Sequence, residues 1–137
     1  VSKLRLCASR FPPINDAPVG LAQHLYRARR LLKLRQSEAA ALIGVDLKTY
    51  KVWEIGGGPP HSHNWPDIIA FLGCDPIIET PATVAELVSA VRRRKGLTAE
   101  ELGRKLGAYK LTVRAWEAGR REPRPRHREK LQGLLIE

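Results

Sequence analysis

The chain has 137 residues, with 24 Lys and Arg against 14 Asp and Glu, a formal net charge of +10 and a sequence pI near 10.2. That length holds one or two small domains and leaves little room for an elaborate active site, while 43% hydrophobic content at helical spacing excludes a charge-rich disordered polymer. No apolar run approaches the roughly 20 residues of a membrane span, and the first 24 residues lack the apolar core of a secretory signal, so a soluble, cytoplasmic protein is expected.

Residues 1 to 19, with Pro12, Pro13 and Pro18, read as a flexible arm. From Leu21 the spacing of Leu21, Leu25, Ala28 and Leu32 predicts a helix, with Arg27, Arg29 and Arg30 largely off its apolar stripe. A second short helix is expected from Gln36 to about Ile43, ended by Gly44. Asp46 is suited to cap a third helix through Lys48, Tyr50 and Trp53, which stops at Gly56, Gly57, Gly58 and Pro59. Pro66 then suits a first helical turn, and Ile68, Ile69, Phe71 and Leu72 supply apolar contacts before Gly73 and Pro76. Residues 77 to 82 are expected to be a linker.

The rest of the chain repeats the first part. At an offset of 63, Ala22, Arg29, Arg30, Leu34, Glu38, Gly44, Thr49, Trp53, Glu54, Gly56 and Pro60 fall on Ala85, Arg92, Arg93, Leu97, Glu101, Gly107, Thr112, Trp116, Glu117, Gly119 and Pro123, which is 11 identities over 41 gapless positions. A tandem duplication of one module therefore fixes the architecture: residues 20 to 76 and 83 to 137. In the second copy Thr98 and Glu101 form a capping-box pattern, where the first copy has Arg35 and a weaker cap. The charge follows the repeat, with +4 over residues 20 to 60, −3 over 61 to 82, +5 over 83 to 123 and +2 over 124 to 137. Two basic blocks around an acidic spacer favour a polyanion partner over an ordinary solvated surface.

Two short helices broken by one Gly make a helix-turn-helix arrangement, whose second helix enters a DNA major groove. At about 100° per residue, Leu47, Lys48, Lys51 and Val52 share one face of the third helix, opposite Tyr50 and Trp53. The same positions in copy two are Lys110, Leu111, Arg114 and Ala115, opposite Val113 and Trp116. Both Trp residues read as core rather than base-stacking groups.

The chain resembles the Cro and phage-repressor (XRE-like, lambda-repressor-like) helix-turn-helix family. Leu34, Gln36, Glu38, Ala40, Ile43, Gly44, Val45, Thr49, Trp53, Glu54 and Gly56 match its pattern, as do Leu97, Thr98, Glu101, Leu102, Leu106, Gly107, Thr112, Val113, Trp116, Glu117 and Gly119. Departures are Arg35 for the usual capping Thr, Ala99 for the polar Gln, and Tyr109 at the third-helix cap. The resemblance implies an all-α chain of two five-helix domains and structural ion pairs Arg29 with Glu54 and Arg92 with Glu117. It also implies a phosphate contact from Gln36 and base contacts from Leu47, Lys48, Lys51 and Val52, then Lys110, Leu111, Arg114 and Ala115. Arg114 is the best candidate for bidentate guanine recognition, because its planar fork matches O6 and N7.

After copy two, Arg120, Arg121, Arg124, Arg126, His127 and Arg128 form a Pro-interrupted basic stretch expected to grip phosphates. The equivalent loop in copy one, Gly56 to Asn64, has no cation beyond a protonated His61 or His63. Those two histidines lack a well-placed third ligand, so neither a metal nor another cofactor is expected. Cys7 and Cys74 are expected to be reduced thiols, being too few for a disulfide framework.

The leading expectation is a non-enzymatic, nucleoid-associated transcriptional regulator that binds double-stranded DNA, with no membrane or small-molecule substrate. The alternatives are a helix-turn-helix protein scaffold, or the DNA-targeting part of a recombinase or transposase. Two modules suit either a covalent pseudo-dimer on adjacent half-sites or one module on DNA with the other on a second chain, as a homodimer or with a partner regulatory protein.

Overall fold

A computed structural model describes residues 20–78 and 80–136; the expected arm at 1–19 and Cys7 lie outside the described residues. Among the described residues the protein is all-helical, and it divides into two compact units between Glu79 and Thr80. Unit 1 contains α1 (Leu21–Leu31), α2 (Gln36–Ile43), α3 (Leu47–Glu54), a 3-10 turn (Ser62–Asn64) and α4 (Trp65–Leu72). Unit 2 contains α5 (Val84–Lys95), α6 (Ala99–Leu106), α7 (Lys110–Glu117) and α8 (Pro125–Ile136). Each unit thus shows four α-helices among the described residues where five were expected. No described helix is long and apolar enough to cross a membrane.

The repeat reappears in three dimensions. The bounds of α2 and α6 differ by the sequence offset of 63, and so do those of α3 and α7. The residue that ends α2 is Gly44, at φ +92°, and the one that ends α6 is Gly107, at φ +72°. A Cβ is disfavoured in that left-handed region, and the Gly lets the chain reverse within three residues before the next helix. After the first helix the same region is entered by Gly96 (φ +68°) in unit 2 but by Lys33 (φ +57°) in unit 1. The hydrogen bonds around them match: Leu34 N–H to Arg29 O at 3.0 Å and Leu97 N–H to Arg92 O at 2.9 Å.

Each unit has its own core. Leu25, Ala28, Ala39, Ile43, Tyr50, Trp53, Trp65, Ile68 and Leu72 are buried in unit 1, and Val88, Val91, Leu102, Leu106, Val113, Trp116 and Leu131 in unit 2. Equivalent positions trade volume. Unit 1 places small Ala39 on α2 and large Tyr50 on α3; unit 2 places large Leu102 on α6 and small Val113 on α7. Native packing density requires such compensation. Gly103, equivalent to Ala40, shows how close α6 lies to the following turn, since a Cβ there would come within 2.5 Å of the Ala108 carbonyl oxygen.

Capping separates the units as the residues dictate. In unit 2 the box is complete, with Glu101 N–H donating to Thr98 Oγ1 at 3.2 Å and Thr98 N–H to Glu101 Oε1 at 2.9 Å. In unit 1 only the reciprocal half forms, Arg35 N–H to Glu38 Oε1 at 2.9 Å, because a guanidinium has no acceptor to offer. Asp46 occupies the N-cap position of α3 without a side-chain capping hydrogen bond.

Three expectations are corrected. Arg27 is buried at 8% exposure rather than off the apolar stripe. The acidic segment 61–82, read from charge as a spacer, is one only in part: the helix expected at Pro66 is present as α4, preceded by the 3-10 turn, and the segment closes where Asp75 Oδ1 accepts from the Ile77 and Ile78 N–H groups at 3.0 and 3.3 Å. Cys74 is buried and disulfide-bonded rather than a reduced thiol.

Candidate nucleic-acid interface

The two ion pairs set the orientation of α3 and α7. Arg29 meets Glu54 through two parallel contacts, Nε to Oε2 at 2.9 Å and Nη2 to Oε1 at 2.8 Å, and its Nη1 donates to the Leu34 carbonyl at 3.2 Å. Arg92 Nη1 lies 2.5 Å from Glu117 Oε1, and its Nε donates to the Leu97 carbonyl at 3.1 Å. In both units one guanidinium ties the first helix to the third and to the loop between the first and second. The pair in unit 1 is the more protected, at 13% and 7% side-chain exposure against 23% and 22%.

Burial opposes ionisation of Glu54, yet hydrogen bonds from Arg29, Tyr50 and Gln36 outweigh it and hold the carboxyl below its ordinary range. The Glu54 hydrogen bond raises Arg29 in turn. Tyr50 is fully buried, and burial first, then Glu54, pushes its phenol far up. Gln36 Nε2 donates to Glu54 Oε1 at 3.2 Å, so part of the amide expected on a phosphate is committed inside the unit. Unit 2 has Ala99 at this position.

With their apolar sides anchored, the outer faces of α3 and α7 are open. Lys48 and Lys51 are exposed, flanked by Leu47 and Val52 at 38% and 37%. Lys110 and Arg114 are exposed beside Leu111 at 74%. Ala115 is a correction: it is buried at 8%, because at the edge of the face a single methyl is too short to emerge where Val52 does. The approach to α3 also carries Asp46, whose carboxyl is lowered chiefly by the Thr49 hydroxyl. The corresponding residue before α7 is Tyr109, exposed at 85%.

The basic stretch after α7 is only partly a loop. Pro125 opens α8, so Arg126 and Arg128 are helical, as the fixed φ of Pro suits a first helical position. Arg120, Arg121, Arg124 and Arg126 are exposed, while Arg128 is half-buried with Nη2 3.7 Å from Glu122 Oε2. His127 leaves the basic group altogether. It is buried at 8%, with its ring 5.2 Å from that of Trp116, and burial first, then Arg126 and Lys130, pushes its pKa down.

In unit 1 the corresponding loop places His61 and His63 together with ring centroids 4.8 Å apart, and His63 N–H donates to His61 Nδ1 at 3.2 Å. No group of three metal-ligating side chains occurs among the described residues.

Redrawing the charge by structural unit makes the two unequal. Residues 20–78 carry 7 Lys and Arg against 5 Asp and Glu, a net of +2, whereas residues 80–136 carry 14 against 6, a net of +8. The near parity of the aligned repeats vanishes because Asp67 and Asp75 belong to unit 1 and the Arg-rich start of α8 belongs to unit 2. Comparison with protein-family models, with curated proteins and with solved structures returns no match.

Proposed function

We propose that the chain is a sequence-specific, double-stranded DNA-binding transcriptional regulator of the Cro and phage-repressor helix-turn-helix type. Units 1 and 2 are its two modules, and unit 2 supplies most of the phosphate grip. The observation that carries this reading is the repeated pair of short helices around a left-handed Gly, each with its second helix anchored by an Arg–Glu pair and facing solvent with cations. Lys110 and Arg114 donate to guanine O6 and N7, Leu111 meets thymine methyls, and Lys48, Lys51, Leu47 and Val52 do the same for unit 1. Arg120, Arg121, Arg124 and Arg126 bind the backbone and fix register without reading sequence. No catalytic step is assigned to either unit, and the working place is the nucleoid.

A second reading is favoured for unit 1 by its +2 charge together with exposed Leu42 (66%) and Ile55 (79%): this module holds a protein partner or a second copy of the chain. Selection of bound duplexes from a random DNA pool tests both. Two enriched half-sites support paired readers, one half-site supports a reader with a partner-binding module, and no enrichment refutes sequence-specific binding. The enriched duplex should also bind with a steep inverse dependence on salt, since phosphate neutralisation releases counter-ions.

A further inference from the structure

The three tyrosines of the chain are used differently. Tyr50 is fully buried in the core of unit 1. Tyr26 is covered by two guanidinium groups, with Arg29 Cζ 5.4 Å and Arg30 Cζ 5.9 Å from its ring centroid. Tyr109 is exposed at 85%, and its side chain makes no capping hydrogen bond although it stands at the N-cap of α7. An N-cap is where Ser, Thr, Asp or Asn would satisfy a free helix N–H. Tyr gives up that stabilisation and also leaves a large aromatic ring in water, so the fold of unit 2 gains nothing from it.

The position lies immediately before Lys110 and Leu111 and one turn before Arg114, all on the open face. Unit 1 has Asp46 here, whose ionised carboxylate disfavours a phosphate. Tyr109 has the opposite character. Its ring is an apolar body that packs against a sugar face, and its hydroxyl is a donor at the end of a rigid lever.

Resting on the DNA-binding reading above, we propose that Tyr109 is a DNA-contacting residue of unit 2, its ring lying along the sugar-phosphate backbone and its hydroxyl donating to a phosphate oxygen beside the N-terminus of α7. Tyrosine hydroxyls are established phosphate donors at protein–DNA interfaces. The contact sets the depth and register at which Lys110 and Arg114 meet the base edges, and it gives unit 2 a positioning element that unit 1 lacks.

The test uses the full chain and a duplex enriched from the random pool. Tyr109→Ser supplies a better N-cap, so thermal stability should hold or rise while DNA binding weakens about tenfold, or roughly 1.4 kcal/mol. Tyr109→Phe keeps the ring and should weaken binding about threefold. Binding by Tyr109→Ser within twofold of wild type overturns the proposal, and Tyr109→Phe binding as tightly as wild type overturns the phosphate contact. The double variant Lys110→Glu with Arg114→Glu keeps the two claims apart. If it loses binding while Tyr109→Ser does not, only the Tyr109 contact is refuted; if it binds as wild type does, the DNA-binding reading beneath it fails for unit 2.

Discussion

Units 1 and 2 share the bounds of their second and third helices, a left-handed Gly turn and an Arg–Glu tie, yet they differ in where their strength lies. Unit 1 has the better protected ion pair, reinforced by Gln36 and Tyr50, and little charge to spare, at +2 over its described residues. Unit 2 has the more exposed pair, complete capping boxes at Thr83 and Thr98, and +8. A duplicated scaffold has thus been kept by internal polar bonds in one copy and by helix caps in the other, while surface charge has been concentrated in the second. Identity between repeats therefore does not carry over to equal surface charge.

The largest expected difference concerns charge. Replacing Arg120, Arg121, Arg124 and Arg126 together by Ala should cut affinity for the selected duplex by roughly a thousandfold at physiological salt. It should also make the log–log salt slope shallower by about 3 to 4, at nearly one unit per phosphate contact. Lys48→Ala with Lys51→Ala should change that slope by no more than about 2. Fluorescence anisotropy titrations over a salt series read both, and equal losses would erase the proposed asymmetry.

Next in size is the ion pair. Glu54→Gln should destabilise unit 1 by about 2 to 3 kcal/mol, since it strands a protected guanidinium. Glu117→Gln should cost unit 2 about 1 kcal/mol, its pair being better solvated. Native-state hydrogen exchange on the full chain resolves the two units, and the reverse order would contradict the burial argument. Smaller again is the backbone. Lys33→Gly places at φ +57° the residue that unit 2 already uses there, and it should stabilise unit 1 by about 1 kcal/mol in urea denaturation.

The smallest effect is a pH window. An unfolded His127 takes up a proton as pH falls through about 6.5, whereas the buried ring in unit 2 resists until lower pH. The stabilisation linked to His127 is therefore full above about 6.5 and is lost as pH falls toward the lowered folded value. Glu54 acts later: its lowered carboxyl contributes above the ordinary Glu value of about 4.3 and loses that contribution only as pH falls through the folded value. Between pH 7 and 5 the opening free energies read by hydrogen exchange, after correction for the intrinsic slowing of amide exchange in acid, should thus fall in unit 2 first, and His127→Phe should remove that lead.

Most of the repeated helices were legible because Gly, Pro and Thr–Glu signals punctuate an apolar period that two copies state twice. The exact bounds of α2, with Gly44 behind it, follow from such local rules, as does the pairing at Thr98 and Glu101. What was not legible depends on neighbours distant in sequence. Arg27 and His127 look like surface cations in the sequence yet are buried in the fold, and Ala115 shares a helical angle with Val52 but not its reach. Pro125 reads as an interrupter on a line of residues although it starts a helix in space. Tyr109 stands out in the sequence at a position suited to a small polar cap, but the exposure of its ring follows only from the fold of unit 2.

The traded core volumes also bear on assembly. Adjacent similar repeats risk exchanging helices during folding, a recognised failure of repeat proteins. A hybrid of α2 with α7 would bring Ala39 and Val113 into one core and leave a void, while α6 with α3 would crowd Leu102 against the site of Tyr50. Cavities and overpacking are both costly. The mismatch would thus disfavour exchange of helices between the two copies, each helix fitting best against the neighbours of its own unit.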